Sequence, residues 1–132
     1  MRIVFDTNIF VSALVLPGGR AEEALTRVVE GRDRLIVSKA IIKELLEVLS
    51  GKFSRDQEAL SRVAVFLSEI GELVQPRRKL TVLKDEPDNR IIECAVSGKA
   101  DLIVTGDRAM LQLGTYNKIR IISLREYLNL LL

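Results

Sequence analysis

Residues 2–8 read Arg-Ile-Val-Phe-Asp-Thr-Asn. Three apolar residues, Ile3-Val4-Phe5, are followed at once by an acid, Asp6. A short apolar run bounded by polar residues predicts a strand buried on both faces. Asp6 then stands at the C-terminal end of that strand, the edge of an open parallel sheet at which ligands bind. An acid in that place is either a turn residue or the first member of a site.

Outward from this stretch the chain alternates helical and strand patterns. Ile9–Leu16 is a short apolar helix that ends at the breaker cluster Pro17-Gly18-Gly19. Ala21–Glu30 has Ala24, Leu25, Val28 and Val29 at helical spacing, and Gly31 stops it. Leu35-Ile36-Val37 predicts a second buried strand. Ser38 caps a helix to about Ser50, and another helix covers about Arg55–Ile70, with Leu60, Val63, Ala64 and Leu67 on one face. Leu73-Val74 forms a short third strand. Asp85-Glu86-Pro87 opens a helix to Ser97, with proline suited to the first turn. Leu102–Val104 and Ile119–Ile122 supply the fourth and fifth strands. A short helix through Leu113 lies between them, and Ser123 caps a last helix, Leu124–Leu131. Strands alternating with helices predict an α/β fold with a parallel sheet covered on both faces, in one domain spanning residues 1–132.

Composition narrows the chemistry. The 132 residues are 48% hydrophobic, ample for a core, and no apolar run approaches the ~20 residues that span a bilayer. The first strand begins at once, so no signal peptide is expected, and a single cysteine, Cys94, cannot form an internal disulfide. The expectation is a cytoplasmic protein. Net charge is only +2, with no polybasic footprint in the totals. There is no histidine, which excludes Ser-His-Asp hydrolases, Cys-His proteases and histidine-ligated zinc.

Carboxylates remain, and their placement matters more than their number. Asp107 follows the fourth strand by three residues, at the same edge as Asp6; a helix N-cap is its simplest alternative role. Asp101 precedes that strand and belongs to the opposite edge. Glu44 borders the apolar arc of its helix formed by Ile41, Ile42, Leu45, Leu46, Val48 and Leu49, whereas Glu47 points to water. Asp88 lies three, four and seven residues before Ile91, Ile92 and Ala95, in the middle of an apolar face; Glu93 is on the far side. A buried charge is costly unless paired. Asp85 and Glu86 are the more natural capping acids of that helix. Two carboxylates 4 Å apart repel by roughly 4 kcal/mol at an effective dielectric of 20. With no histidine and no particular lysine among them, the natural neutraliser of Asp6, Glu44, Asp88 and Asp107 is a divalent cation, and oxygen-only ligands suit Mg²⁺ or Mn²⁺. Such a site can activate water against a phosphodiester.

Asp6-Thr7-Asn8 after the first strand, the helical Glu44, Asp88-Asn89 opening a helix, and Thr105-Gly106-Asp107 after the fourth strand together resemble the motifs of the PIN domain family. They occur in order over essentially the whole chain, and the resemblance is greatest to the compact PIN toxins of toxin–antitoxin pairs. It implies a three-layer α/β/α fold with a five-stranded parallel sheet and a Mg²⁺- or Mn²⁺-dependent ribonuclease. It also implies frequent homodimers and, for toxins, a cognate antitoxin. The acidic quartet of the family maps onto Asp6, Glu44, Asp88 and Asp107. Asn8 and Thr105 match polar positions that line the pocket, and Asp85 is an extra acid or a competitor for the role of Asp88.

The mechanism this suggests is in-line attack on an RNA phosphodiester by a metal-activated hydroxide, with Asn8 and Thr105 orienting carboxylates or water. Arg20, Lys52, Arg55 and the cluster Arg77-Arg78-Lys79 are candidates for contacts to the RNA backbone, each with solvated surface charge as its simpler role. With aromatic content at 5%, salt-sensitive backbone contacts are favoured over base stacking. Two rivals differ in class. A non-catalytic module would use the acidic pocket only to bind RNA or protein. An aspartyl phosphatase of the haloacid dehalogenase kind would want a second acid two residues after Asp6, where Asn8 stands. Phe10, Leu14, Leu16 and Leu130-Leu131-Leu132 offer apolar surface for a homodimer, or else complete the core.

Overall fold

A computed structural model of the chain describes residues 1–52 and 56–130. The elements run β1 (Arg2–Phe5), α1 (Thr7–Val15), α2 (Arg20–Val29), β2 (Arg34–Ser38), α3 (Lys39–Lys52), α4 (Gln57–Ile70), β3 (Gly71–Val74), α5 (Glu86–Ser97), β4 (Leu102–Val104), α6 (Arg108–Leu113), β5 (Thr115–Tyr116), β6 (Ile119–Ile122) and α7 (Leu124–Leu128). Arg55, Leu131 and Leu132 lie outside the described residues, so the predicted start of α4 and the last leucines are not among them. Among the described residues, no helix is long and apolar enough to cross a membrane.

The six strands form one sheet in the order β3-β2-β1-β4-β6-β5, parallel except for β5. Helices cover both faces, giving a three-layer α/β/α arrangement. β1 is central because it is apolar on both faces: Ile3, Val4 and Phe5 are fully buried. β2 and β4 flank it, with Ile3 in register with Leu35 on one side and with Leu102 on the other. From β1 the chain winds outward through β2 to β3, then crosses back over the sheet by α5 to β4. The reversal of direction falls between β1 and β4. At such a switch point the loops leave adjacent strands on opposite faces, and a crevice opens beyond their C-terminal ends.

α5 is pressed closely against the sheet. A Cβ added at Gly98 would fall 2.4 Å from the Ile36 side chain on β2, so only glycine allows the helix end this approach. Phe5 meets Phe10 and Tyr127 edge to face, with ring centroids 5.7 and 5.9 Å apart. Phe10 is therefore core and supplies no dimer surface, whereas Leu14 and Leu16 are exposed at the end of α1 and just beyond it. Val29, expected on the apolar face of α2, turns outward instead, and Ala21, Ala24, Leu25 and Val28 make that face.

β5 adds an antiparallel edge to the five predicted parallel strands. It is two residues long and pairs with β6 through the turn Asn117-Lys118. Both turn residues have positive φ, 48° and 68°, the pattern of a two-residue hairpin turn. Such turns are usually marked by Asn-Gly; lysine in the second place conceals this one.

Candidate active site

Asp6 sits one residue past β1. Its backbone N–H donates to the Val104 carbonyl of β4 at 2.9 Å, so the sheet ladder itself fixes where the carboxylate stands. One carboxylate oxygen accepts the Asn8 N–H at 3.4 Å, capping α1. The other accepts the Thr105 hydroxyl at 2.6 Å. Thr105 is fully buried one residue past β4, and its Oγ1 also accepts the Asp107 N–H at 3.0 Å. One hydroxyl thus ties together the acids that follow β1 and β4. Asp107 is the N-cap of α6, accepting from the Met110 N–H at 3.0 Å, so its capping role and its place at the acid cluster coexist.

Asp88 enters from the first turn of α5. It is 5% exposed, and its Oδ2 is buried with no hydrogen-bond partner among the described residues. Burial, reinforced by Asp107, Asp85 and Asp6, pushes its carboxyl up to about 7. Burial likewise raises Asp6 despite the opposing hydrogen bond from Thr105, and Asp107 adds to the rise. Glu44, half-buried on α3, is raised by burial against the hydrogen bond from Thr7, with Asp6 and Asp85 adding repulsion. Asp6 thus interacts with Asp107, Asp88 and Glu44 alike, and the leading charges acting on Asp6, Glu44 and Asp88 are other carboxylates. Asp85 occupies the N-cap position of α5 but makes no capping hydrogen bond; its charge acts on both Asp88 and Glu44.

These placements follow from local sequence. Ser38 caps α3 by accepting the Ile41 N–H at 3.3 Å, and the buried line Ile41, Leu45, Leu49 turns Glu44 inward at its border while Glu47 stays exposed. Ile91, Ile92 and Ala95 seat α5 and carry Asp88 beneath the surface. The donor set is all oxygen, and a buried carboxylate oxygen without a partner is what a hard cation would satisfy. Among the described residues, no three carboxylates are yet close enough to form a finished ligand cage.

Three side chains play parts that the motifs did not reveal. Thr7 donates its hydroxyl to Glu44 Oε2 at 3.0 Å, whereas the neighbouring Asn8 has an exposed side chain and gives Asp6 only its backbone N–H. Asn89 is fully buried and holds the segment before α5: its amide oxygen accepts from Val82 and Leu83 N–H at 3.0 and 2.8 Å, and its amide NH₂ donates to the Leu83 carbonyl at 2.8 Å. Glu93 is indeed turned away from Asp88, but it is buried under that same segment, accepting from the Leu80 N–H at 2.7 Å and from Arg90 at 2.8 Å. The available signal was a buried-side Asn directly after Asp88, too short to read alone. Of the basic candidates, Arg20 and Lys52 are exposed at the start of α2 and the end of α3, and Arg77, Arg78 and Lys79 are exposed before α5.

Comparison with known proteins agrees with this fold. The PIN domain family matches residues 2–109. An uncharacterized protein of Methanocaldococcus jannaschii is 30% identical over 122 residues, covering 89% of this chain and 78% of the relative. Among solved structures, VapBC2 from Rickettsia felis, bound to a DNA fragment from their promoter, has a similar fold. It matches with a TM-score of 0.65 at 18% identity, over 93% of this chain and 98% of the other. VapBC-1 from nontypeable Haemophilus influenzae matches with a TM-score of 0.67 at 18% identity, over 95% and 99%.

Proposed function

This chain belongs to the PIN domain family, and we propose that it is a ribonuclease that hydrolyses RNA phosphodiester bonds with Mg²⁺ or Mn²⁺. The observation that carries the proposal is Asp88: a buried carboxylate raised to about 7, with one oxygen unpartnered among the described residues, beside acids to which no described basic side chain forms a salt bridge. Asp6, Glu44, Asp88 and Asp107 would hold the cation, with Asp85 as an additional acid at its margin. When bound, the divalent ion supplies Lewis-acid stabilisation of the phosphoryl oxygens and a more acidic water.

The chain's own groups do the rest. The Thr105 hydroxyl holds Asp6 in one orientation and the Asp107 backbone in register with it. Thr7 does the same for Glu44. At neutral pH, burial beside other acids leaves the Asp88 carboxyl partly protonated, and its ionised form is the one that would hold a cation. Outer partners of this kind set ligand orientation and commonly matter by 10–100-fold in affinity or activity.

The same reading makes the chain the toxin of a toxin–antitoxin pair in the cytoplasm, with a small antitoxin protein as partner; the similar folds of the two VapBC proteins support it. It also carries a homodimer, for which Leu14 and Leu16, 37% and 63% exposed, are the apolar surface on offer. The test is cleavage of end-labelled single-stranded RNA. The chain should cut in Mn²⁺ and not in EDTA, and Asp6→Asn should lose about 10³-fold or more while melting as a folded protein. Cleavage indifferent to EDTA, or a fully active Asp6→Asn, would remove the proposal.

A further inference from the structure

The segment between β3 and α5 carries Arg77, Arg78, Lys79 and Lys84 within eight residues. All four side chains are exposed, and among the described residues none makes a salt bridge or a side-chain hydrogen bond. Several other cations are occupied: Arg2 and Arg34 by Glu72, Arg90 by Glu86 and Glu93, and Arg27 by carbonyls of α7; what sets residues 77–84 apart from the remaining exposed cations is that four fall within one short segment leading to the acids.

The second half of this basic segment is held in place. Asn89 and Glu93, one turn apart on α5 and both buried, bind the backbone of Leu80, Val82 and Leu83 through four hydrogen bonds. Leu80, Val82 and Leu83 pack against the core beneath. Lys79 and Lys84 therefore flank an anchored stretch of backbone and Arg77 and Arg78 lead directly into it, which lowers the ordering cost of binding.

The two ends of the segment lead to different places. The C-terminal end delivers Asp85 to the acid cluster. The N-terminal end borders a cavity of about 740 Å³, where Arg77 and Arg78 face apolar walls from Leu80, Val96 and Tyr116. From Asp88 to Val96 is eight residues of α5, or about 12 Å along the helix axis. A chain lying on the acids and running along α5 would meet the cations and then the cavity.

We propose that residues 77–84 are the substrate track. Phosphates of single-stranded RNA on one side of the scissile bond pair with Arg77, Arg78, Lys79 and Lys84, and a flanking base lies in the cavity against Tyr116. The assignment rests on the ribonuclease reading above. A regularly charged polyanion suits a row of unpaired cations, and an aromatic wall accepts any base by stacking. The track also answers an electrostatic problem: the acids alone would repel a polyanion, and these are cations set on the approach to them.

The full chain should be titrated with fluorescein-labelled single-stranded RNA in EDTA, where it is not cut, at several salt concentrations. The double variant Arg77→Ala/Arg78→Ala should bind about 10-fold more weakly, with a salt slope lower by about 0.7 for each phosphate contact removed. In Mn²⁺ its KM should rise by a similar factor with kcat held. Tyr116→Ala should weaken binding with the salt slope unchanged. If wild type cleaves RNA and the double variant binds and cleaves as wild type does, the track is wrong and the ribonuclease reading stands. If wild type binds RNA through Arg77 and Arg78 but cuts none in Mn²⁺, the ribonuclease reading falls and the binding track stands. Unchanged RNA affinity with weakened binding of a poly-glutamate peptide would assign the surface to an acidic protein partner and overturn the proposal.

Discussion

The two edges of the sheet treat carboxylates in opposite ways. At the N-terminal edge each acid has a partner. Asp33, 5% exposed, accepts from the amino group of Met1 at 2.8 Å and from the Tyr127 hydroxyl at 2.5 Å. Arg2 Nη2 meets Glu72 at 2.7 Å and holds its carboxyl below the usual range, while Asp101 accepts the Arg2 N–H at 2.8 Å. At the C-terminal edge Asp6, Glu44 and Asp88 are all raised, and the leading charges acting on them are other acids. The same sheet therefore satisfies its acids where they serve the fold and leaves them frustrated at the edge where the cation is proposed to bind. Composition cannot make that distinction, because both edges carry buried aspartate.

Variants can break the contrast from either side. The largest effect after the loss of activity in Asp6→Asn is expected from Asp33→Ala. Removing the carboxylate strands the buried Tyr127 hydroxyl, which costs about 1–3 kcal/mol, so this variant should unfold at lower denaturant than wild type. RNA cleavage per folded molecule should be retained. Equal loss of specific activity would mean that the two edges are not separable.

A smaller effect is expected from Thr105→Val, which keeps the shape but removes the hydroxyl between Asp6 and Asp107. Mn²⁺ affinity, measured by calorimetry, should fall about 10–100-fold. Unchanged affinity would show that Thr105 acts only as packing.

The smallest effect concerns Asp88 without metal. Its carboxyl is raised to about 7 in the folded chain, against about 4 in an unfolded one. The folded state therefore binds the extra proton between these values, and this contribution to stability is full below about pH 4 and lost as pH rises through about 7. Metal-free protein should weaken across that window, Mn²⁺ should reverse the loss, and Asp88→Asn should be more stable than wild type at pH 8 by about 1 kcal/mol. A metal-free stability that rises between pH 5 and 7.5 in wild type but not in Asp88→Asn would contradict the assignment of the raised group.

Much of the fold was legible because buried strands and amphipathic helices announce themselves by period. Ile3–Phe5, Leu35–Val37 and Leu102–Val104 are apolar runs too short for helices, and all are buried as strands. β5 was not legible, since two residues, Thr115 and Tyr116, have no period and the turn that pairs them lacks the usual glycine. Of the site, the acids at strand ends could be placed by counting, and Asp88 by its helical face. Thr7, Asn89 and Glu93 could not, because their partners lie 37, 6–7 and 13 residues away in sequence and are defined only by packing.

The sequence alone determined the chemistry available to this protein. Without histidine, and with acids following apolar strands, it offered carboxylate oxygens at a sheet edge and no imidazole, because residue type and strand period are local properties. Tertiary structure decided which acids remain without a counter-charge. Whether Asp33 finds Tyr127, or Asp88 finds nothing but Asp107, Asp85 and Asp6, depends on which loops the strand order 3-2-1-4-6-5 brings together. The cost of a buried charge is set by those distant neighbours and not by the residues beside it in the chain.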